Sequence, residues 1–488
     1  MPWFTKPFCL LSKKPLHFSI TTPSLLQNSF HIHLSSHHLL PLALEHQSKR
    51  DALLQIHSKL IISSLHHCRI DETSIRLWNT LIRCYSLGPF PKEAIHLYCQ
   101  VREFCDTFAL SFLLKACANL MQPKAGIQFH GVVIKKGFEF GVYVHTAVVS
   151  MYVVCGALLE AKKAFEEMPE RNSVSWNAMI TGFASWGEIG FARLLFEEMP
   201  RRNVISWTGL IDGYTRARRP DEAMALFRRM MADGVDPTEI TVLAIVPAIS
   251  NLGKLLIGES LHAYCAKKGL CLLDVRVENS LIDMYAKCGS IANSSKLFEG
   301  MSSRRNLVSW TSITSAFAMH GMAKEAVELF DEMTRANIRP NRVTFLSVLN
   351  ACSHGGLVDE GLRFFMSMVY EYGVEPEMKH YGCIIDMLGR AGRLREAEEM
   401  TEEMPMKVNA IVWRTLLGCC NKHGEVEMGE RVMKKIMELE RGYGGDYVVM
   451  SNMLSDVKRF NDAEKVRRKI DEMDVVKVPG ITLINGKQ

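Results

Sequence analysis

Apolar residues recur with helical spacing along most of the chain. Between residues 307 and 341, one apolar set is spaced three and four residues apart, and a second follows the i, i+3, i+4, i+7 pattern of one helical face. The first set is Trp310, Ile313 and Phe317, and the second is Ala326, Leu329, Phe330 and Met333. His320-Gly321 interrupts the pattern, and Pro340 ends it because proline cannot continue a helix. The segment is therefore predicted to form a helical hairpin.

The hairpin pattern repeats along the chain. Trp207, Trp310 and Trp413 are spaced 103 residues apart, although the chain contains only seven tryptophans. Each block of 103 residues divides into three segments, which are 204–238, 239–274 and 275–306 in one block and 307–341, 342–377 and 378–409 in the next. One apolar stripe per helix cannot be buried within a single hairpin, so neighbouring hairpins must stack. Strand-like alternation is absent, and the sequence predicts an all-α, right-handed superhelical solenoid of stacked hairpins.

Further copies extend the repeats toward the N-terminus. Val174-Ser-Trp-Asn177 matches the sequence around Trp207, and Trp78-Asn79 begins an earlier copy. Segments 107–141 and 142–172 match the second and third kinds of segment through Lys115-Ala-Cys-Ala118 and Val149-Ser-Met-Tyr-Val-Val-Cys-Gly156. A chain organised in this way can meet a repetitive partner with one repeat per unit of the partner.

The first 44 residues have a different composition. They contain Lys6, Lys13 and Lys14 but no arginine and no acidic residue, and Glu45 is the first acid. An acid-poor, serine-rich N-terminal segment is typical of an organelle transit peptide, and a disordered tail is the alternative. Mitochondria are the predicted destination. Chloroplasts remain the alternative, because missing arginines are less typical of mitochondrial import.

Composition excludes several classes of protein. Hydrophobic residues make up 48% of the chain and charged residues 23%, which is typical of a globular protein. No apolar run approaches the roughly 18 residues of a membrane-spanning helix, so no membrane partner is expected. Without the three lysines of the first 44 residues, the formal net charge falls from +5 to +2, which does not suit a general polyanion binder. Recurring cysteines such as Cys117 and Cys352 are interpreted as reduced core residues.

Three longer segments carry a family resemblance. They are Leu281-Ile-Asp-Met-Tyr-Ala-Lys-Cys-Gly289, Asn350-Ala-Cys-Ser-His-Gly-Gly-Leu-Val-Asp-Glu-Gly361 and the segment His380–Leu394. With them, the chain from about Glu45 to Ile484 resembles the plant pentatricopeptide-repeat (PPR) proteins of the PLS subclass, which alternates standard, long and short repeats. Val412-Trp-Arg-Thr-Leu-Leu417 and Val478-Pro-Gly-Ile-Thr-Leu-Ile484 resemble the E extension of RNA-editing factors. The resemblance implies a degenerate repeat over 45–74, a repeat array over 75–409 and an E extension over 410–488, without a DYW deaminase domain.

The resemblance also implies which residues contact RNA. In this family each repeat binds one base of a single strand. The fifth and last residues hydrogen-bond the base edge, and the second residue packs on the base face, which contributes roughly 1–3 kcal/mol per base. The implied pairs are Asn79 with Asp106, Thr146 with Asn172, Asn177 with Asn203, Thr208 with Thr238, Asn279 with Asn306, and Thr311 with Asn341; the packing residues are Val174, Ile205 and Val308.

The family's code assigns bases to most of these pairs. In chain order it favours U, A, C or U, an undefined base for Thr208 with Thr238, C or U, and A, with the RNA running 5′ to 3′ along the chain. Four repeats depart from the pattern, because the long repeats carry Ser111, Leu243 and Leu346 at position five and the last short repeat carries Gly382. These four repeats, and also the pair Thr208 with Thr238, are expected to read loosely or not at all. The alternative is that the polar residues only cap helices.

Catalytic and metal-binding patterns are missing from the sequence. A zinc deaminase needs H-x-E followed by P-C-x-x-C, and no C-x-x-C occurs. Cys419 and Cys420 are adjacent on a predicted helix, which does not suit a tetrahedral site. The histidines between His31 and His38 are interpreted as compositional, and no phosphate loop or nucleophile elbow is present. The chain is predicted not to be an enzyme and to need no cofactor or metal.

Two classes of function remain open. The first is an organellar RNA-binding factor that marks a cytidine for C-to-U editing, with a DYW-type cytidine deaminase and multiple organellar RNA editing factor proteins as partners in trans. RNA splicing, stability or processing without editing is an alternative within that class. The second class is a scaffold of tetratricopeptide-like hairpins that binds only proteins. Polar residues at the fifth and last positions favour RNA.

Overall fold

The computed structural model describes residues 53–58, 72–101, 105–440 and 443–472. Within these ranges the secondary structure is helical and contains no strand, which confirms the all-α prediction. The predicted transit peptide, residues 1–44, lies outside the described residues, and so does most of the predicted degenerate repeat over 45–74. The chain divides into two compact units, residues 1–179 and 180–488.

The first unit contains consecutive helical hairpins. Its helices are α1 (Glu72–Leu87), α2 (Pro91–Val101), α3 (Thr107–Asn119), α4 (Pro123–Lys135), α5 (Val142–Val154) and α6 (Leu158–Glu166), followed by the start of α7 (Ser173–Ser185). Within this unit α1 packs against α3 and α3 against α5, so the first helix of each repeat contacts the first helix of the next.

The second unit continues the pattern from the end of α7. Its helices are α8 (Ile189–Glu198), α9 (Val204–Arg216), α10 (Pro220–Ala232), α11 (Glu239–Leu252), α12 (Leu255–Lys267), α13 (Leu270–Leu273), α14 (Val275–Lys287), α15 (Ile291–Gly300), α16 (Leu307–Met319), α17 (Ala323–Arg335), α18 (Arg342–Gly355), α19 (Val358–Tyr370), α20 (Met378–Arg390), α21 (Leu394–Glu402), α22 (Ala410–His423), α23 (Val426–Leu439), α24 (Gly444–Asp456) and α25 (Phe460–Glu472). From α9 to α22 the first helices again pack one on the next.

The repeated tryptophans bury their rings between neighbouring hairpins. The Trp310 ring stands edge-on to Phe298 of the preceding repeat at 4.9 Å between ring centroids. Trp207 makes the same contact with Phe196 at 4.6 Å, and Trp176 with Phe165 at 4.9 Å. In these three places a hairpin therefore completes its core with a ring from the next one, as expected for stacked repeats.

A glycine in each long repeat permits close packing on the following short repeat. A Cβ atom added to Gly258 would lie 2.6 Å from Met284 Cε, which is closer than packed atoms can approach. Gly126 and Gly361 meet Met151 and Met387 in the same way. Alanine at these positions would require the end of the methionine side chain to move away.

The structure adds details that the sequence pattern missed. Pro247 lies inside α11 rather than at a helix end, and the short helix α13 is inserted after the second helix of the long repeat 239–274. The described cysteines have free thiols, with Cys117 and Cys352 in the core. Burial raises the pKa of both thiols to about 12, so they are poor nucleophiles. Among the described helices, none is long and apolar enough to span a bilayer.

Candidate nucleic-acid interface

The predicted fifth residues lie on the first helices and are nearly buried. Asn79, Thr146, Asn177, Thr208, Asn279 and Thr311 are all among the buried polar residues. A buried polar group normally has its hydrogen-bonding capacity satisfied. The partners of these six side chains therefore determine which donor or acceptor each one has left.

The predicted last residues cap the helix that begins the next repeat. The side-chain oxygen of Asp106 accepts a hydrogen bond from the Ala109 backbone N–H at 2.7 Å. The Oδ1 atom of Asn306 accepts from the Ser309 N–H at 3.0 Å, and that of Asn341 from the Thr344 N–H at 3.0 Å. Asn172 and Asn203 cap in the same way. The helix-capping role considered from the sequence is therefore real for these residues.

Because the last residues use a side-chain oxygen to cap a helix, only their other polar atoms are available to hydrogen-bond a ligand. The Asn341 Oδ1 atom accepts from both the N–H and the hydroxyl of Thr344, so the polar group left to it is the Nδ2 donor. In Asp106, one carboxylate oxygen caps the helix, and the other can only accept. Capping and base contact are compatible, because they use different atoms of the same side chain.

Two threonines at position five can donate their hydroxyl protons to a backbone carbonyl of the same helix. The Thr146 hydroxyl donates to the Val142 carbonyl at 2.7 Å, and the Thr311 hydroxyl donates to the Leu307 carbonyl at 2.8 Å. A hydroxyl whose proton is committed to a carbonyl can only accept further hydrogen bonds. Thr146 therefore presents an acceptor, and Thr311 does so when its proton goes to the Leu307 carbonyl and not to the Thr344 hydroxyl 3.0 Å away.

The other position-five residues in the second unit behave differently. Asn279 Nδ2 donates to Asn306 Oδ1 at 3.4 Å, and its own buried Oδ1 has no hydrogen-bond partner among the described residues. The Thr208 hydroxyl lies 2.7 Å from the Thr241 hydroxyl, which lies 3.2 Å from that of Thr238. Either atom can donate in each of these contacts, so the pair Thr208 and Thr238 has no fixed pattern of donor and acceptor.

The third residue of each following repeat is absent from the residues predicted by sequence. Ser206, Thr241, Ser309 and Thr344 are fully buried. Each of their hydroxyl groups hydrogen-bonds the last residue of the preceding repeat. Thr344 also lies 3.0 Å from Thr311, so it touches both members of one predicted reading pair. The sequence does carry a signal for these residues, because Ser or Thr occupies position three of the repeat. An apolar residue would otherwise continue the buried helix face at that position.

An arginine before the last residue was missed as well. Arg305 Nε donates to the Phe298 carbonyl at 3.0 Å, and Nη2 donates to the Glu299 carbonyl at 3.0 Å. Arg171 and Arg202 repeat these contacts at the ends of their own second helices. The arginine holds the turn that carries the capping asparagine.

The predicted packing residues project outward. Val174, Ile205 and Val308 are 58%, 56% and 57% exposed. The same register exposes an apolar side chain in several repeats for which the sequence predicted no packing residue: Phe108, Tyr143, Ile240, Val343 and Ile411. An apolar group held in solvent beside four of the six polar pairs provides a surface for a flat aromatic partner.

The four repeats that depart from the pattern present fewer hydrogen-bonding groups at position five. Leu243 and Leu346 are half-buried on their helices, and neither can hydrogen-bond a base. The Ser111 hydroxyl donates to the Thr107 carbonyl at 2.9 Å, and Gly382 has no side chain. The described residues contain no cluster of three or more His, Cys, Asp or Glu side chains that could hold a metal ion.

After residue 409 two further hairpins follow, formed by α22 with α23 and α24 with α25. Arg414 joins them: its Nε lies 2.9 Å from Asp446 Oδ2, and its Nη1 lies 2.9 Å from Glu440 Oε2. Asp446 is buried, so this ion pair is a fixed part of the C-terminal region.

Together these features define a repeat protein whose stacked first helices present, in several of the repeats, an apolar side chain beside a pair of polar ones. Sequence comparison identifies the class. The profile of the PPR repeat matches residues 143–173, 174–204, 279–306 and 343–371, a related PPR repeat family matches 202–249 and 305–354, another PPR repeat profile matches 372–405, and the E motif matches 423–485. The chain belongs to the pentatricopeptide repeat family.

Individual relatives agree with this result. A mitochondrial pentatricopeptide repeat-containing protein of Arabidopsis thaliana is 50% identical over 465 residues, covering 91% of this chain and 92% of the relative. A second Arabidopsis member is 40% identical over 412 residues, covering 83% and 77%. The crystal structure of the maize protein PPR10 superposes with a TM-score of 0.60 at 18% identity, covering 90% of this chain and 64% of the maize chain. The relatives confirm the family and the predicted mitochondrial localisation, and the maize structure confirms the fold.

Proposed function

We propose that this protein binds a single strand of organellar RNA in a sequence-specific manner and marks a site for C-to-U editing. A DYW-type cytidine deaminase would act in trans, together with multiple organellar RNA editing factor proteins. The observation that carries the RNA-binding part is the fixed arrangement of hydrogen-bond donors and acceptors at the fifth and last positions. These arrangements match particular bases.

The pair Thr311 and Asn341 matches adenine. Thr311 presents an acceptor when its proton goes to the Leu307 carbonyl, and Asn341 presents a donor, because its oxygen caps a helix. Adenine offers the complement on its Watson–Crick edge, with the N6 amine as donor and N1 as acceptor. Thr146 and Asn172 show the same arrangement, and the same base is expected there.

The pair Asn279 and Asn306 matches cytosine. The unpartnered Oδ1 of Asn279 can accept from the N4 amine, and the Nδ2 of Asn306 can donate to N3. Asparagine is longer than threonine, so it can reach the edge of a smaller pyrimidine. Uracil presents its groups in the reverse order, so it requires both amides to turn over, and the Asn306 oxygen would then leave the helix cap.

The pair Asn79 and Asp106 matches uracil. One oxygen of Asp106 caps the next helix and the other can accept from the N3–H of uracil. The amide of Asn79 can donate to a neighbouring carbonyl of the base. An aspartate in the last position therefore selects an imino N–H, whereas an asparagine there selects a ring nitrogen that accepts.

A double substitution tests this code. Thr311→Asn together with Asn341→Asp should move the preference of one repeat from A toward U, because aspartate keeps the helix cap and replaces a donor with an acceptor. Fluorescence anisotropy with RNAs that differ only at that base measures the change. Each mismatch should cost on the order of 1–3 kcal/mol, with base stacking as the scale. An unchanged preference for A, or equal changes at other positions, would contradict the assignment.

The editing role has different support, namely the E motif at residues 423–485. If the repeats align as in editing factors, the last short repeat lies opposite the fourth base before the edited cytidine, and Thr311 with Asn341 lies opposite about the sixth. Deleting residues 410–488 should preserve RNA binding and abolish editing in plants. A truncated protein that still supports editing would refute recruitment through this region. Splicing or stability defects without lost editing sites would favour the alternative RNA function.

A scaffold that binds only proteins is the candidate from another class. It predicts no preference among RNA bases, and the anisotropy assay separates it from the RNA reader. A purified full-length chain that deaminates RNA unaided would instead show that the chain is itself an enzyme.

A further inference from the structure

Two second positions in the unit of residues 180–488 carry a cation. Arg276 and Lys379 occupy this position in the short repeats 275–306 and 378–409, and both are exposed. The other second positions of this unit, in the repeats and in the first C-terminal hairpin, carry exposed apolar residues: Ile205, Ile240, Val308, Val343 and Ile411. In these two repeats a cation therefore occupies the position at which the neighbouring repeats present an apolar surface for a base.

Both cations follow a long repeat that has leucine at position five. The leucines are Leu243 and Leu346, and the last residues of the same repeats are Asp274 and Glu377. Each residue type recurs after 103 residues, so leucine, acid and cation form one repeated set. A leucine cannot hydrogen-bond a base edge.

The acidic residues of this set are already bound to arginine. Asp274 Oδ2 lies 2.6 Å from Arg276 Nη2 and 2.8 Å from Arg276 Nε. Asp274 Oδ1 accepts from the Arg276 backbone N–H at 2.8 Å. Glu377 Oε1 lies 3.2 Å from Arg342 Nη1. Both oxygens of Asp274 are therefore engaged, whereas Glu377 keeps Oε2 toward solvent. Because the leucines at position five cannot hydrogen-bond a base edge, neither long repeat has a polar pair, and the bases opposite them are not read.

The cations themselves remain available. Arg276 is 68% exposed, and its bonds to Asp274 use Nε and Nη2, which leaves Nη1 and the face of the guanidinium toward solvent. Lys379 forms no ion pair with any residue that the structure describes. We propose that Arg276 and Lys379 bind the phosphodiester backbone of the RNA beside the two long repeats, so that charge holds the strand where its bases are not read. This inference rests on the proposed RNA binding.

The salt dependence of binding tests the proposal. On a single strand, each phosphate neutralised by a cation contributes about 0.7 to the slope of log K against log salt concentration. Arg276→Gln and Lys379→Gln should each lower the magnitude of that slope by about 0.7, and the double variant by about 1.4. The probe is a single-stranded RNA with U, A, C, C and A opposite the five repeats that have defined pairs, titrated with the full chain by fluorescence anisotropy. Base changes opposite the two long repeats should have no effect in any variant.

Lys324→Gln is the matched control, because Lys324 is an exposed lysine on a second helix, α17. Its slope should equal that of the unmodified protein. A double variant that binds RNA with an unchanged slope would overturn the phosphate contact and leave the proposed function standing. A base preference opposite a long repeat that disappears with Arg276→Gln would also overturn it, since Arg276 would then read a base. Failure of the unmodified protein to bind any RNA would overturn both.

Discussion

The buried hydroxyl of Thr344 provides a test of how one repeat sets the specificity of the repeat before it. It lies 3.1 Å from Asn341 Oδ1 and 3.0 Å from Thr311 Oγ1, and it accepts from the Asn341 backbone N–H at 3.4 Å. Thr344→Val removes these contacts and nearly preserves the shape of the side chain. The backbone N–H of residue 344 still caps Asn341.

The expected loss of stability is modest. A net hydrogen bond contributes about 0.5–1.5 kcal/mol, and a buried donor left without a partner costs about 1–3 kcal/mol. Because the contact of the Asn341 N–H with Thr344 is long, we expect a decrease of about 1–2 kcal/mol in the free energy of unfolding. We also expect weaker discrimination for adenine opposite Thr311 and Asn341, since the variant removes one of the two groups that hold the Asn341 amide.

Thr314→Val is the matched control. Thr314 is equally buried, and its hydroxyl donates to the Trp310 carbonyl at 2.8 Å. It should lower stability without changing base preference. Urea unfolding measures the first effect and RNA anisotropy with A, G, C or U at one position measures the second. If Thr344→Val destabilises the chain and leaves the preference for adenine intact, position three is only structural and the reasoning fails.

Two further predictions concern stability. Trp310→Ala should cost about 3–5 kcal/mol, because the ring is buried against Phe298. Trp310→Phe should cost less, since it keeps a ring and removes a buried N–H that has no acceptor among the described residues; an unchanged urea midpoint for the alanine variant would show that the ring is not buried. Burial lowers the pKa of His262, so the unfolded state binds more protons, and stability should fall as the pH drops below about 6.5. His262→Phe should flatten this fall, as Phe365 holds the matching position 103 residues later, and an unchanged pH slope would contradict the assignment.

Much of the architecture follows from the sequence because one pattern is repeated many times. The apolar stripe around Trp310 and Phe330 predicts both helices of its hairpin, and the residues buried in the structure include them. Gly253 and Gly356 end long-repeat helices with left-handed backbone angles of φ 62° and 70°, which glycine adopts at little cost. Pro247 does not follow the rule that holds for Pro340, because it lies within a helix and not at its end.

The reading site was predicted less completely. Asn306 and Asn341 could be predicted from their position in the repeat. Which of their side-chain atoms stay free to contact a base depends, however, on hydrogen bonds to the next helix. Those bonds come from Ser309 and Thr344, which a pattern of apolar spacing does not distinguish from solvent-facing positions. Arg305 donates to carbonyls that become accessible only where the second helix ends, so its role depends on backbone geometry that composition does not show.

The capping contacts across repeat boundaries also bear on engineering. Asn341 belongs to one repeat by sequence, but its amide is oriented by Thr344 of the following one. A transplanted segment of residues 307–341 would therefore arrive without the partner that orients its last residue. Cutting within second helices, for example within α17 and α19, would move the asparagine and its cap as one cassette. The segment of this chain that can be exchanged as a unit therefore begins and ends within second helices, and not at the repeat boundaries that sequence alignment defines.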